Sequence, residues 1–169
     1  LSFWDRVVKL NLINSLMKLE KETQKTTVSR ADAHVVHLLD GLIGLPQLKE
    51  MEIVYSEEQL PFLWLNELAE DPITFAVVEP GSVIEDYTFE IDDEDANQLG
   101  IQTGDDILVL NITTLYAGET PEATINLAAP IVINRRTRIG KQVILEDLDR
   151  YPTHYTLCTL VEESVSCAN

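Results

Sequence analysis

From Ala31 onward the apolar residues fall in short runs broken by Gly, Pro, Asp and Asn. Val, Ile, Phe and Thr crowd the runs, and turn formers bound them, which is how half-buried strands are punctuated. The pattern predicts strands at His34–Leu39, Met51–Tyr55, Phe62–Leu65, Ile73–Glu79, Tyr87–Ile91, Ile107–Leu115, Ala123–Leu127, Pro130–Asn134 and Arg138–Leu145. Most prolines stand at run edges, where a missing N–H does least harm. Many short strands with few helices predict a mainly β, compact barrel-like or sandwich domain.

Two stretches break the β pattern. Asp92 is a natural N-cap, followed by Asp93, Glu94 and Asp95 in a first turn where the helix dipole favours negative charge. Ile91 and Ala96 take staple positions, and Leu99-Gly100-Ile101 reads as a glycine stop. One short helix is therefore expected over 93–99. Between Phe3 and Leu19, Trp4, Val8, Leu12, Leu16 and Leu19 recur at helical spacing. Lys9, Asn11 and Asn14 interrupt them, so the stretch lacks the unbroken apolar run of a signal peptide or membrane span. Met17 would make a natural start, and residues 1–16 read as an appended helix or upstream sequence. The expected organisation is an N-terminal extension over 1–30, a β domain over 31–155 and a C-terminal tail over 156–169.

Charge changes the picture more than overall composition does. The 169 residues carry a net charge of −17. Between Ala31 and Asn134 stand 21 acidic residues and one basic residue, Lys49. Arg6, Lys9, Lys18, Lys21, Lys25 and Arg30 lie before this stretch, and Arg135, Arg136, Arg138, Lys141 and Arg150 after it. Such a body repels phosphate backbones and anionic headgroups, which disfavours direct nucleic-acid or membrane binding. It attracts a basic protein. Solubility alone explains an acidic surface equally well.

Little in the chain suggests reaction chemistry. Asp92–Asp95 lacks the alternating ligands and sixth-position glycine of a calcium loop, since Ala96 and Asn97 fall at positions five and six. His34 and His37 are three apart, which on a strand sends them to opposite faces, so a partly buried, hydrogen-bonded histidine is expected at each. Cys158 and His154 can be drawn as a nucleophile and base, but they sit in the tail region without an orienting group. Cys158 and Cys167 make neither a disulfide framework nor a zinc spacing, and a reducing, cytoplasmic setting fits them. Trp64 reads as core. Arg135-Arg136-Thr137-Arg138 reads as a strand-connecting turn or, functionally, as a contact on a partner. No enzyme, metal or cofactor is expected.

Several segments together resemble the FliW family. Ala123-Thr124-Ile125-Asn126-Leu127-Ala128-Ala129-Pro130-Ile131-Val132-Ile133-Asn134 is similar to its A-T-A-N-L-x-A-P-I-V-I-N signature, and Gly140-Lys141-Gln142-Val143-Ile144-Leu145 to its G-K-Q-x-I-L strand. Pro61–Leu65 and Phe75–Pro80 sit in the family's order. Asp40–Leu45 resembles the E-G-L-P-G-F turn, with Ile43 for Pro and Leu45 for Phe. The likeness runs from about His34 to Tyr155; Lys18–Asp32 matches poorly and Thr156–Asn169 has no clear counterpart. These motifs read as scaffold. The resemblance implies a non-enzymatic flagellar assembly factor, cytoplasmic and monomeric, that antagonises the RNA-binding translational repressor CsrA and binds flagellin. Taken with the charge pattern, it points to a partner surface at Glu85, Asp86, Asp92, Asp93, Glu94 and Asp95 and at Arg135, Arg136 and Arg138. The rival reading is an acidic inhibitor or chaperone of another basic or secreted client.

Overall fold

The apolar runs pair into one continuous β system in the computed structural model, which describes residues 34–102, 107–116, 122–161 and 164–167. The N-terminal extension and the helix expected within it lie outside those residues. The strands are β1 (Val35–Leu38), β2 (Glu50–Val54), β3 (Phe62–Glu67), β4 (Thr74–Val78), β5 (Ile107–Tyr116), β6 (Glu122–Ile125), β7 (Ile131–Asn134), β8 (Ile139–Gln142), β9 (Tyr155–Val161) and β10 (Ser164–Cys167), with helix α1 at Asp93–Gln98.

Seven strands close on themselves. Neighbours run β5-β4-β3-β2-β1-β8-β7, and β7 returns to β5. All these pairs are antiparallel except β1 with β8. β5 is long enough to serve two further partners besides β4: Ile107–Leu110 pairs with β7, and Thr113–Tyr116 pairs with β6. From β6 the sheet continues to β9 and then β10. The barrel thus hides most of its edges, and a smaller sheet branches from the far half of β5.

Side-chain alternation accounts for two cores. Leu38, Met51, Leu65, Val77, Leu110, Ile131 and Ile133 fill the barrel. Val132, between two of them, faces a second cluster with Phe62, Val78, Leu99, Ile125, Val143 and Leu157. All four residues of β7 are buried, so the unbroken apolar run Ile131-Val132-Ile133 is the trace of a strand covered on both faces. Gly140 closes the barrel. A Cβ there would lie 2.9 Å from Leu38 Cδ2 and 3.0 Å from Ile133 Cγ1, so only glycine lets β8 approach so near.

The stretch between β6 and β7 turns the chain from the branch sheet into the barrel, and most of its backbone groups find a partner. Asn126 N–H donates to Ile112 O (3.0 Å) and Leu127 N–H to Pro152 O (3.0 Å). Asn111 Nδ2 donates to Asn126 O (2.7 Å), and Tyr87 OH to Leu127 O (2.7 Å). Ala129 O accepts from Gln142 Nε2 (3.0 Å), while Val143 and Leu145 donate to Pro130 O and Ala128 O. A buried corner without such partners would carry several unsatisfied groups, each costing about 1–3 kcal/mol. Asn126, Pro130 and Gln142 are scaffold residues in that sense.

Four expectations need correction. Tyr87–Ile91 is not a strand. Its alternating apolar residues do pack on the second core, but the Thr88 carbonyl is claimed by Tyr151 OH (2.6 Å) and Arg150 (3.2 Å) instead of a ladder. β6 ends at Ile125, short of the expected Leu127, because the chain turns there. Trp64 is half-buried and not core; its indole N–H donates to Gln59 Oε1 at 2.9 Å. His34 and His37 are exposed, His37 bonding its cross-strand neighbour Glu50. At the C-terminal end, β9 runs through the boundary expected between 155 and 156, pairing Tyr155, Thr156, Cys158 and Thr159 with β6.

Candidate functional site

Helix α1 is built by local rules and then fixed from outside. Asp92, in extended conformation, accepts a bond from Asp95 N–H at 2.7 Å. At the other end Gly100 adopts φ +65°. Its N–H donates to Asn97 O (3.1 Å) and that of Ile101 to Ala96 O (2.9 Å), which is a Schellman stop. Six residues hold only marginally as a free helix. Two side chains from the β7–β8 hairpin supply the remainder.

Lys141 in β8 grips two side chains of the helix. Its Nζ donates to Asp95 Oδ1 (2.5 Å) and Gln98 Oε1 (2.9 Å), with Asp40 Oδ2 at 3.8 Å. The bonded Asp95 carboxylate raises the Lys141 pKa, and burial opposes the rise. Asn134, the last residue of β7, holds the C-terminal stop of the helix. Its Nδ2 donates to Leu99 O (3.0 Å) and Gly100 O (3.2 Å). Its Oδ1 meanwhile accepts from Arg136 N–H (3.0 Å) and Thr137 N–H (3.2 Å). One buried side chain thus joins the end of α1 to the arginine turn.

The turn itself is exposed throughout, from Arg135 to Arg138. Arg138 takes φ +60°, and its N–H closes the turn onto Asn134 O at 2.7 Å. Arg135 lies 3.6 Å from Glu79, both about half exposed, a pairing worth little in water. The acidic helix and the basic turn, far apart in sequence, are therefore neighbours on the outer face of the β7–β8 hairpin.

The expected acidic residues separate by role once placed. Asp92 caps α1, and Asp95, about 17% exposed, is committed to Lys141. Asp93 and Glu94 are exposed on α1, Glu94 also accepting from Gln98 at 3.2 Å. Glu85 and Asp86 are exposed on a separate turn leading into Tyr87, with Asp86 at φ +59°. Sequence reasoning treated Asn134 only as a strand-ending residue. Its spacing from Leu99 carries no signal, because the bond spans 35 positions.

Behind the Glu85–Asp86 turn lies a tyrosine cluster. Tyr87 packs edge-on against Tyr151, with centroids 5.9 Å apart, and accepts from Asn111 Nδ2 at 3.3 Å. Burial pushes the Tyr87 phenol up to about 12, the Asn111 bond pulling the other way. Tyr87 and Lys141 both hold their protons more tightly folded than unfolded. Their contribution is fully present below the ordinary tyrosine value of 10.0 and is lost as pH rises through the raised values. Urea unfolding followed from about pH 8 to about pH 12 is therefore expected to show stability falling above about pH 10. Tyr87→Phe should make that fall shallower; parallel profiles for the two proteins would remove Tyr87 from the account.

Among the described residues no three His, Cys, Asp or Glu side chains gather to hold a metal ion, and no helix is long and apolar enough to cross a membrane. His154 Nδ1 pairs with Thr153 Oγ1 at 2.9 Å.

The chain matches the family model described as FliW protein over residues 19–157. It is similar to the flagellar assembly factor FliW of Thermotoga neapolitana, 34% identical over 132 residues, covering 78% of this chain and 89% of that protein. The corresponding factor of Clostridioides difficile is 38% identical over 113 residues, covering 66% and 85%. A crystal structure of the flagellar assembly factor FliW superposes with a TM-score of 0.68 at 30% identity, covering 76% of this chain and 89% of that one.

Proposed function

Because this chain belongs to the FliW family of flagellar assembly factors, we propose that it acts by binding proteins and catalyses no reaction. It antagonises the translational repressor CsrA and binds flagellin, so that flagellin synthesis follows flagellar assembly, and it does so in the cytoplasm. The observation that carries the surface assignment is the juxtaposition of exposed Asp93 and Glu94 with the Arg135–Arg138 turn, both fixed by β7–β8 side chains. An RNA-binding repressor presents basic surface, and an acidic face with an adjoining basic rim meets it with complementary charge. Glu85 and Asp86 extend the acidic surface on the neighbouring turn. Asp92 and Asp95 contribute by shaping α1.

The test uses the two exposed acidic residues of α1 that bond neither Lys141 nor Asn134. Asp93→Lys with Glu94→Lys should weaken CsrA binding by about tenfold at low ionic strength, with the difference shrinking as salt is added. Arg135→Glu with Arg136→Glu, measured against both CsrA and flagellin, reports which client uses the turn. Unchanged affinity and unchanged salt dependence in the first variant would remove α1 from the interface. If neither CsrA nor flagellin binds the unaltered protein, the partner assignment itself fails.

A further inference from the structure

Alternation along β2, β3 and β4 sends Met51, Ile53, Leu63, Leu65, Phe75 and Val77 into the barrel core. The residues between them form the outer wall, and the strand register sets them in two rows. Val54, Trp64 and Ala76 stand side by side, as do Glu52, Asn66 and Thr74. None of the six is buried. Neighbouring strands lie about 4.8 Å apart, and residues two positions apart along a strand about 7 Å. An apolar row therefore runs beside a polar one. A wall that met only water would be served by polar residues throughout.

Trp64 is the centre of the apolar row, and it is already fixed. Its indole N–H donates to Gln59 Oε1 at 2.9 Å, and Gln59 is itself buried. An aromatic side chain held in one rotamer loses little freedom on binding, which suits it to anchor a partner. Charge defines that partner: from Glu50 to Glu79 the chain carries eight acidic residues and no Lys, Arg or His. Around the ring, β3 is separated from β8 by β2 and β1 on one side and by β4, β5 and β7 on the other. This wall thus lies across the barrel from α1 and the arginine turn, which the β7–β8 hairpin holds.

We propose that the outer wall of β2–β4 docks a cationic segment of a partner protein, with an apolar side chain seated on Trp64 and a lysine or arginine about 7 Å away over Glu52. Positions i and i+2 of a strand, or i and i+4 of a helix, provide a spacing of about 6–7 Å. Given the reading that this protein works by binding other proteins, the wall offers the client with basic surface, CsrA, a foothold apart from α1. The acidic rows steer the encounter, and the fixed indole supplies the apolar contact that charge alone does not.

CsrA is titrated calorimetrically into the full chain and its variants at low and high salt. Glu52→Lys with Thr74→Lys reverses the charge of the polar row and replaces no core residue. Trp64→Leu keeps an apolar side chain but removes the indole and its bond to Gln59. The lysine pair is expected to weaken CsrA binding about tenfold at low salt, the difference shrinking as salt is added. Trp64→Leu should weaken it about fivefold at either salt. Combined with Asp93→Lys and Glu94→Lys, the lysine pair should multiply the two losses, as changes at distant sites do. If CsrA binds the native chain and both wall variants equally, the proposal falls while the functional reading stands. Flagellin binding weakened in place of CsrA binding would overturn the cationic occupant. A native chain that binds no CsrA fails the functional reading, and this surface with it.

Discussion

An Asn134→Ala variant is expected to lose about 3 kcal/mol of unfolding free energy, measured by urea denaturation, and to release α1 before the barrel unfolds. Asn134 is 3% exposed, and its amide makes four bonds, two to the end of α1 and two to the arginine turn. Alanine removes all four and leaves the buried Leu99 carbonyl short of a donor, so a desolvation cost adds to the lost bonds. Hydrogen exchange should rise across 93–101 more than in β1–β4, and the proposed CsrA binding should weaken although no exposed residue has changed. Asn134→Asp keeps the acceptor side and forfeits the donors, so it should disturb α1 more than the turn. A loss under about 1 kcal/mol for Asn134→Ala would mean that the four bonds do not fix the helix.

Gly41→Ala is expected to cost about as much for a different reason. Gly41 adopts φ +71°, and an added Cβ would lie 2.7 Å from both Pro46 C and Pro46 O and 2.8 Å from Leu45 O. These are backbone atoms, which cannot swing aside as a side-chain end can. The left-handed conformation costs an alanine about 1 kcal/mol, and the overlap adds roughly 1–3 kcal/mol as the turn shifts. Gly44, three residues on, supplies the control: its φ is +82°, but a Cβ there meets nothing within 4 Å. Gly44→Ala should therefore cost only the conformational share. Thermal unfolding of the two variants side by side decides it, and equal shifts would show that the close approach at Pro46 is relieved without penalty. The Gly41 change should also disturb the ion pair between Asp40 and Lys141, and with it the footing of α1.

Much of the fold was legible because its signals are local. Strand residues alternate or run apolar according to whether one face or both are covered, which is why eight of the nine expected strands appear close to their places. Helix α1 was legible to its ends, since Asp92 and Gly100 act on backbone groups within four residues. Tyr87–Ile91 misled for a physical reason: Tyr87, Phe89 and Ile91 alternate like a strand because one side packs on the core. Whether such a segment joins a ladder depends on what else claims its carbonyls, and Tyr151 and Arg150, 63 and 62 residues away, claim the one at Thr88. β9 and β10 were passed over as tail, their pairing with β6 being a long-range matter.

The order of residues alone was enough to read a mainly β, strongly acidic chain resembling the FliW family, one capped helix with its stop, and a turn of arginines between two strands. Those features rest on short-range sterics, capping bonds and net charge, which need no knowledge of what lies opposite. Long-range packing is what closes the barrel through the parallel β1–β8 pair and binds Asp95 to Lys141 while Asp93 and Glu94 face solvent. It alone placed the acidic helix beside the arginine turn. These depend on residues distant in sequence being brought together, and the energy of such a contact is set by its partner and its burial, neither of which is written at the residue itself.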